Sequence, residues 1–274
     1  YRNELMNGHQ RSVFAMNNPG EPLDVEIPFL LSCGVDGIEL TIEPPCSYFT
    51  QIADSWPLVE KHCRIAHTRD DLAFASRDPD QRTAAIAAMN DAFAVCKKLG
   101  FRRINVHPDR GSQGLSQSEV FDLNVCALSS LSQAASDLDL ELMLENQPPF
   151  TSPSQIEDVL SAVSGELFVL LDIAHAHCYG KAQEIDEFIT RLGKKIRHIH
   201  ISDNRGENDE HLFPGYGSIK FDGLLDLIND NVDPSVAFSL ESFRLFDGGA
   251  LRMVTPQERG PLVSAAIDFI NELR

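Results

Sequence analysis

Side chains able to bind a divalent metal close six consecutive apolar runs of the sequence. The segment INVHPD ends one run at His107, LMLENQ ends the next at Glu145, and SLESF ends the last at Glu241. One carboxylate or imidazole at such a place is commonly a structural hydrogen-bonding group, but six in succession are difficult to attribute to packing. In chain order the six residues are His67, His107, Glu145, Asp172, His200 and Glu241.

Three further candidates lie just beyond two of these runs. His175 follows Asp172 in LLDIAH, and Asp209 and His211 lie in NDEHLFPGYG. Carboxylates that converge raise one another's pKa unless a cation lies between them. Mixed carboxylate and imidazole ligands without a thiolate suit Mn²⁺, Zn²⁺, Co²⁺ or Mg²⁺. The sequence therefore predicts a divalent-metal site and leaves the choice of metal open.

The elements that must position these residues alternate between short apolar runs and longer amphipathic segments. Strands separated by helices predict a parallel sheet, and eight such units in 274 residues predict a closed (β/α)8 barrel of the α/β class. We expect residues 1–274 to form this single TIM-barrel domain, with its functional side chains at the carboxyl ends of the strands. An open doubly wound sheet is the alternative, but the Gly-rich phosphate turn typical of that fold is absent.

Apolar periodicity and helix-stop glycines give the boundaries of these elements. The predicted strands cover 12–16, 37–42, 64–67, 103–107, 141–145, 167–173, 196–201 and 236–240. The predicted helices cover 23–33, 80–99, 116–138, 154–163, 185–192, 223–228 and 257–273.

Charge and composition narrow the class of partner. Lys and Arg total 23 against 41 Asp and Glu, a net charge of −18, which repels the phosphate backbone of nucleic acids. No apolar stretch approaches the ~18 residues of a membrane span, and no secretory signal follows Tyr1. Six dispersed cysteines favour reduced thiols. We therefore expect a cytoplasmic protein that acts on small molecules, of an oligomeric state that the sequence leaves open.

Taken in order, these motifs resemble the xylose isomerase-like TIM-barrel superfamily. This superfamily includes sugar phosphate isomerases and epimerases and the AP endonuclease family 2, or endonuclease IV. The resemblance runs from GIEL in the second strand to ESF in the eighth, and its most specific stretch is HIHISDNRGENDEHLFPGYGSI. It implies one divalent ion held by a core set of four residues: Glu145, Asp172, His200 and Glu241.

The resemblance also implies a metal-dependent sugar or sugar-phosphate isomerase or epimerase. The ion would chelate a carbonyl and the neighbouring hydroxyl and stabilise an enediolate. Glu145 and Glu241 would remove and return a proton from opposite faces, and His175 would donate a hydrogen bond to a substrate oxygen. Further substrate contacts are implied for His67, His107 and Arg205.

A hydrolase like endonuclease IV is the main rival, because that enzyme holds three zinc ions in a larger cluster. The additional ligands would be His67, His107, His175, Asp209 and His211. The charge of −18 argues against DNA binding, and the loop at 43–49 lacks the arginine with which endonuclease IV penetrates the duplex. The sequence also leaves open a polyol-ketone dehydratase, which would expel hydroxide from the same enolate, and a sugar-binding module without activity.

Several nearby residues have two interpretations. Glu39 could line the barrel mouth or make a structural hydrogen bond, and His198 is expected to stack in the layer below His200. Gly215 and Gly217 could present N–H groups to a substrate anion or form a plain turn. Trp56 could wall a sugar site with Tyr48 and Phe49 or pack in the core.

Overall fold

Eight parallel strands form a closed barrel in the computed structural model, which describes residues 11–18, 20–42, 52–180 and 184–272. Each strand pairs with the next along the chain, and the last pairs back with the first through Phe238 and Val13. The prediction of a (β/α)8 TIM barrel is confirmed. The strands are β1 (Val13–Met16), β2 (Gly37–Ile42), β3 (Cys63–Thr68), β4 (Arg103–Val106), β5 (Glu141–Glu145), β6 (Phe168–Asp172), β7 (Ile196–Ile201) and β8 (Ala237–Leu240).

Helices connect the strands and cover the outside of the barrel. None of those in the described segments is long and apolar enough to cross a membrane. They are α1 (Leu23–Ser32), α2 (Trp56–His62), α3 (Pro79–Leu99), α4 (Gln117–Ser136), α5 (Pro153–Ala162), α6 (Ile173–Tyr179), α7 (Glu184–Leu192), α8 (Leu224–Asn231) and α9 (Pro256–Glu272).

The longer helices begin and end where the sequence supplies a cap. Ser116 and Ser152 each form a capping box with the third helical residue, so that α4 and α5 begin with satisfied N–H groups. Gly100 ends α3 in the left-handed conformation, with φ of 73°. The predicted boundaries hold to within three residues, and the serine that caps α5 is Ser152, two residues before the predicted start at Ser154.

Two buried apolar layers hold the barrel together. The main core lies between strands and helices, and every residue of β2 and β6 is buried, as expected for parallel strands covered on both sides. A smaller cluster comprises Phe14, Ile65, Met143, Phe168, Leu170 and Ala237. Met143 and Leu170 each lie two residues before a metal-ligand candidate on the same strand, so this cluster forms the floor under the candidate site.

Three elements depart from the sequence prediction. α6 follows β6 directly, because the Asp172 carboxylate accepts the N–H of His175 at 2.7 Å and caps the helix. α2 was not predicted, and it begins with Trp56. The Trp56 ring packs against the core, with the Lys98 ammonium above it, so this residue packs in the core. Tyr48 and Phe49 lie outside the described residues. Beyond β8 an antiparallel hairpin forms from β9 (Arg244–Asp247) and β10 (Ala250–Met253).

The described cysteines have free thiols, consistent with the prediction of reduced cysteines. Burial raises the pKa of the Cys63 thiol to about 12, so this thiol is unreactive at neutral pH. The five residues are Cys33, Cys63, Cys96, Cys126 and Cys178; Cys46 lies outside the described residues.

Truncation of a core side chain tests the packing between helix and barrel. Phe93 on α3 is fully buried, whereas Phe246 on β9 is 37% exposed. We expect Phe93→Ala to lower the free energy of unfolding by about 3–5 kcal/mol, because it removes apolar contacts and leaves a cavity. Phe246→Ala should cost less than about 1 kcal/mol. Urea denaturation followed by circular dichroism measures both, and equal losses would contradict the assigned core.

Candidate metal centre

Four ligand candidates meet at the carboxyl end of the barrel. Glu145 and Asp172 are the last residues of β5 and β6, His200 lies near the end of β7, and Glu241 directly follows β8. All four are buried, and one donor atom from each lies within 4.8 Å of the other three. The structure therefore brings together the core set that the sequence predicted.

The donor atoms of this set fit a shared cation. His200 Nδ1 lies 2.9 Å from Glu241 Oε2, 3.7 Å from Asp172 Oδ2 and 4.0 Å from Glu145 Oε1. Ligand atoms about 2 Å from one ion lie roughly 3–4 Å apart. His200 Nδ1, Asp172 Oδ2 and Glu241 Oε2 are buried without a hydrogen-bond partner among the described atoms. A divalent ion would satisfy these donors.

The second ring nitrogen of His200, Nε2, contacts Glu39. His200 Nε2 lies 2.9 Å from Glu39 Oε1, and His198 Nε2 lies 2.9 Å from Glu39 Oε2 and 2.7 Å from the Ser239 hydroxyl. Glu39 is completely buried, so it makes a structural hydrogen bond and does not line the mouth. A proton on His200 Nε2, shared with Glu39, leaves Nδ1 free to bind a metal.

Glu145 lies within a group of imidazoles. Its Oε2 accepts a hydrogen bond from Asn105 at 3.0 Å, and His107 Nε2 and His67 Nε2 lie 3.0 and 3.7 Å from the same oxygen. Burial alone would raise the pKa of Glu145, but the positive field of His107 and its neighbours holds that pKa well below the usual range. Glu145 therefore stays ionised, with Oε1 directed toward His175 and His200 at 3.3 and 4.0 Å.

His175, Asp209 and His211 form a second group beside the core set. Asp209 Oδ2 lies 3.2 Å from His175 Nε2 and 2.9 Å from His211 Nε2. Burial alone would lower both imidazole pKa values. Asp172 and Asp209 instead raise the pKa of His175 to about 10, and Glu241 and Asp209 raise the pKa of His211 to about 9. The carboxylate and two imidazoles thus balance one another's charge.

Asp203 organises the loop that carries Asp209 and His211. Its carboxylate accepts N–H groups from Gly215 and Gly217 at 3.0 and 2.9 Å, and from Ile219 at 3.1 Å. The N–H groups considered for a substrate anion are therefore occupied within the protein, and the two glycines form a plain turn. A Cβ on Gly217 would collide with the Asp203 carboxylate, which explains the glycine there.

The remaining candidates line the entrance or lie beyond it. A cavity of about 240 Å³ above the core set is lined by His67, His107, His175 and Glu241, among others; we call it the metal pocket. Arg205 donates from Nε to Glu210 at 2.9 Å, and its guanidinium lies 3.6 Å from the centre of the Phe246 ring. A substrate contact by Arg205 stays a prediction. The loop at 43–49 lies outside the described residues.

Comparison with known proteins assigns the family. Residues 27–273 match the family described as "Xylose isomerase-like TIM barrel". The chain belongs to this family.

Curated relatives match parts of the chain at moderate identity. An uncharacterized protein of Methanocaldococcus jannaschii is 31% identical over 61% of this chain and 64% of its own length, so the chain spans just under two thirds of that relative. Fructoselysine 3-epimerase of Escherichia coli O157:H7 is 34% identical over 39% of each chain. The protein named "Probable endonuclease 4" of Mycoplasma pneumoniae is 23% identical over 73% of this chain and 76% of its own.

Solved structures share the fold over almost the whole length. A D-tagatose 3-epimerase-like protein superposes with a TM-score of 0.77 at 22% identity, covering 96% of both chains. The IOLI protein with a bound zinc atom gives a TM-score of 0.71 at 19% identity, again over 96% of both chains. At these identities the likeness shows the (β/α)8 fold alone.

The sequence analysis missed, or left undecided, three residues that support the ligands of the site. Asn105 lies two residues before His107 on an inward-facing position, a polar residue between Ile104 and Val106 that could have been noticed. Glu39 gave the same signal within GIELTI. Asp203 gave none, because nothing in HIHISDN shows that its carboxylate would bind backbone groups up to sixteen residues later.

Replacement of Glu39 tests its role behind His200. We expect Glu39→Gln to weaken divalent-metal binding about 10–100-fold, because an amide cannot orient two imidazoles as a carboxylate does. Competition with a metal-binding dye measures the affinity. Glu26→Gln is the matched control, because Glu26 is also buried but pairs with Arg259 of α9 and is not among the candidate ligands. Unchanged affinity in a folded Glu39→Gln protein would contradict the proposed orientation.

Proposed function

We propose that the protein is a divalent-metal-dependent sugar or sugar-phosphate isomerase or epimerase. The observation that carries this proposal is the buried set of Glu145, Asp172, His200 and Glu241 beneath an open pocket. Three carboxylates and one imidazole form an oxygen-rich site of the kind that Mn²⁺, Co²⁺, Zn²⁺ or Mg²⁺ occupies. Family membership and the match to a fructoselysine 3-epimerase support the same class of reaction.

An ion bound by this set would supply Lewis acidity, which acidifies the C–H beside a carbonyl and favours the enediolate. Glu145 and Glu241 are the residues proposed to move the proton. Glu145 is ionised and directs Oε1 toward the centre of the set, and both carboxylates line the metal pocket. One carboxylate removes the proton and the other returns it, at the same carbon in epimerisation or at the next in isomerisation.

The neighbouring residues bind and orient the substrate. His175 lines the metal pocket and lies 3.3 Å from Glu145, so it can donate a hydrogen bond to a substrate oxygen beside the proton-transferring group. His67 and His107 form the opposite wall and are proposed as substrate contacts. Asp172 and His200 are completely buried and hold the ion without touching substrate.

Exchange of substrate hydrogen with solvent tests this chemistry. The metal-loaded protein should incorporate deuterium from D₂O at the carbon beside the carbonyl of its ketose, as followed by NMR. Glu145→Gln should lower the exchange rate at least about 10²-fold, because general base catalysis contributes about that much. Glu141→Gln is the matched control, since Glu141 lies on the same strand at the opposite end of the barrel. Equal activity of the two variants would contradict the assignment.

A metal-dependent phosphodiesterase is the second candidate, and one observation favours it. The five outer ligand positions meet in the structure as two groups that flank the core set, one around Glu145 and one around Asp209. The match to "Probable endonuclease 4" supports the same class of reaction. Absence of nucleic-acid binding therefore stays a prediction from the charge of −18.

The number of metal ions per chain separates the two candidates. We expect one tightly bound divalent ion, because among the residues that the structure describes only the core set combines three buried carboxylates around one imidazole. Elemental analysis of the purified protein, after dialysis against metal-free buffer, measures the ratio. Three ions per chain together with nicking of duplex DNA at an abasic site would establish the phosphodiesterase instead.

A further inference from the structure

A buried amide lies against the carboxylate of Glu145. It belongs to Asn105, the third residue of β4, which is completely buried. The Asn105 Nδ2 atom lies 3.0 Å from Glu145 Oε2 and 3.2 Å from His107 Nε2. A buried amide costs free energy unless its N–H groups are hydrogen-bonded, and here those groups face two candidate ligands.

The orientation of the Asn105 amide is set by Thr68, the last residue of β3. The Thr68 N–H donates to Asn105 Oδ1 at 2.6 Å, and the Thr68 hydroxyl donates to the Asn105 backbone carbonyl at 3.2 Å. A flipped amide would direct its NH2 group at the Thr68 N–H and its oxygen at the Glu145 carboxylate, which are two repulsive contacts. One orientation alone therefore satisfies both neighbours, and it directs N–H toward Glu145.

These contacts connect three neighbouring strands at the mouth of the barrel. Asn105 binds Thr68 of β3 on one side and Glu145 of β5 on the other. The last registered pair of β3 and β4 joins Ala66 to Ile104, so the Asn105 side chain continues the link between these strands where the ladder ends. The support behind Glu145 thus comes from strands, which hold a side chain more precisely than loops do.

The two oxygens of Glu145 consequently have different surroundings. Oε2 is bound by Asn105 and faces His107. Oε1 faces the centre of the site, 3.3 Å from His175 Nδ1 and 4.0 Å from His200 Nδ1. A carboxylate held at one oxygen resists the rotation that would exchange the two, so the oxygen directed at the core set is defined within the protein itself.

An uncharged amide suits this position better than a cationic side chain would. Lysine or arginine in place of Asn105 would neutralise Glu145 and compete with a metal ion for its charge. The amide donates a hydrogen bond without a formal charge. The orientation of Glu145 is therefore fixed while its negative charge stays available to a cation.

On the basis of the proposed function, we infer that Asn105 is a positioning residue for Glu145. It holds Oε2 within the barrel wall, so that Oε1 is the oxygen presented to the metal ion. Asn105 does not itself line the metal pocket, and it acts on the ion only through Glu145. Loss of its amide would leave the charge of Glu145 unchanged and its geometry undefined, which at comparable sites weakens metal binding.

A double-mutant cycle tests whether Asn105 acts through Glu145. The four proteins are the wild type, Asn105→Ala, Glu145→Ala and the double variant, each titrated with Co²⁺ by dye competition and by visible absorption. Asn105→Ala should weaken Co²⁺ binding at least about 10-fold and change the absorption bands, which depend on coordination geometry. When Glu145→Ala is already present, the same substitution should change the affinity by no more than about 2-fold.

Asn124→Ala is the matched control. Asn124 is also completely buried, and its amide donates to the backbone carbonyls of Asp109 and Val120 rather than to a candidate ligand. This variant should keep the Co²⁺ affinity and spectrum of the wild type. Circular dichroism verifies folding, and Asn105→Ser, which keeps a polar group beside the Thr68 N–H, should show the same coupling to Glu145 if Asn105→Ala does not fold.

Turnover gives a second measurement on the Co²⁺-saturated protein. The probes are D-fructose and its C3 epimer D-psicose, with deuterium exchange from D₂O followed by NMR. Asn105→Ala should lower kcat about 10-fold and leave KM nearly unchanged, because it displaces the proton-transferring carboxylate and no proposed substrate contact. A rise in KM at constant kcat would contradict the positioning role.

The failures of the inference and of the proposed function are distinguishable. Unchanged Co²⁺ affinity in folded Asn105→Ala, or equal losses with and without Glu145, would overturn the inference while the isomerase or epimerase assignment stands. Unchanged Co²⁺ affinity in Glu145→Ala would contradict the core set itself. Absence of exchange with both ketoses in the Co²⁺-saturated wild type would count against the proposed function, and the metal-binding cycle would still decide the role of Asn105.

Discussion

The two-sided binding of His200 is the interaction on which the candidate centre depends. Its Nε2 faces Glu39 on one side, and its Nδ1 faces Glu241, Asp172 and Glu145 on the other. Four carboxylates buried around one ring would be strongly unfavourable without positive charge among them. Glu39 raises the pKa of His200 against the effect of burial, so without an ion a protonated ring would supply that charge. A cation at Nδ1 would replace the proton there and supply the charge instead.

The arrangement around His200 follows from the two-residue period of side chains along a strand. Side chains two residues apart on a strand face the same side, so His198 lies beneath His200 and Met143 beneath Glu145. The lower layer is mostly apolar, and its polar residues include His198, which contacts Glu39, and Asn105, which donates to Glu145. Ligands on strand ends are thus supported from below by packed side chains, which fixes their geometry more closely than loop residues would.

The strand ends were the part of the site that the sequence could predict. Each ligand of the core set directly ends or follows an apolar run, and parallel strands place such ends at one mouth. The partner of His200 could not be predicted, because Glu39 lies 161 residues away and the contact depends on how the barrel closes. The roles of Gly215 and Gly217 were equally hidden, since Asp203 binds their N–H groups through the fold of one loop.

The hairpin of β9 and β10 was not predicted, because it lies outside the repeated strand–helix unit. The segment RLFDGGALRM has two short alternating runs around Gly248 and Gly249, which is the pattern of a two-residue hairpin turn. The segment follows the last barrel strand, where the repeated strand–helix pattern predicts only a connection to the final helix. The sequence analysis therefore treated it as a loop. The hairpin places Phe246 beneath Arg205, so the position of that arginine depends on an element outside the repeat.

Charge balance distinguishes the core set from the two groups beside it. The group of His175, Asp209 and His211 joins one carboxylate to two imidazoles, and protonation of these imidazoles satisfies it without any ion. The imidazoles of His67 and His107 likewise share one oxygen of Glu145. The core set instead joins three carboxylates to one imidazole, so protonation of that imidazole cannot balance its charge. This difference in charge balance supports the proposal of one cation at the core set over three ions shared among the nine side chains.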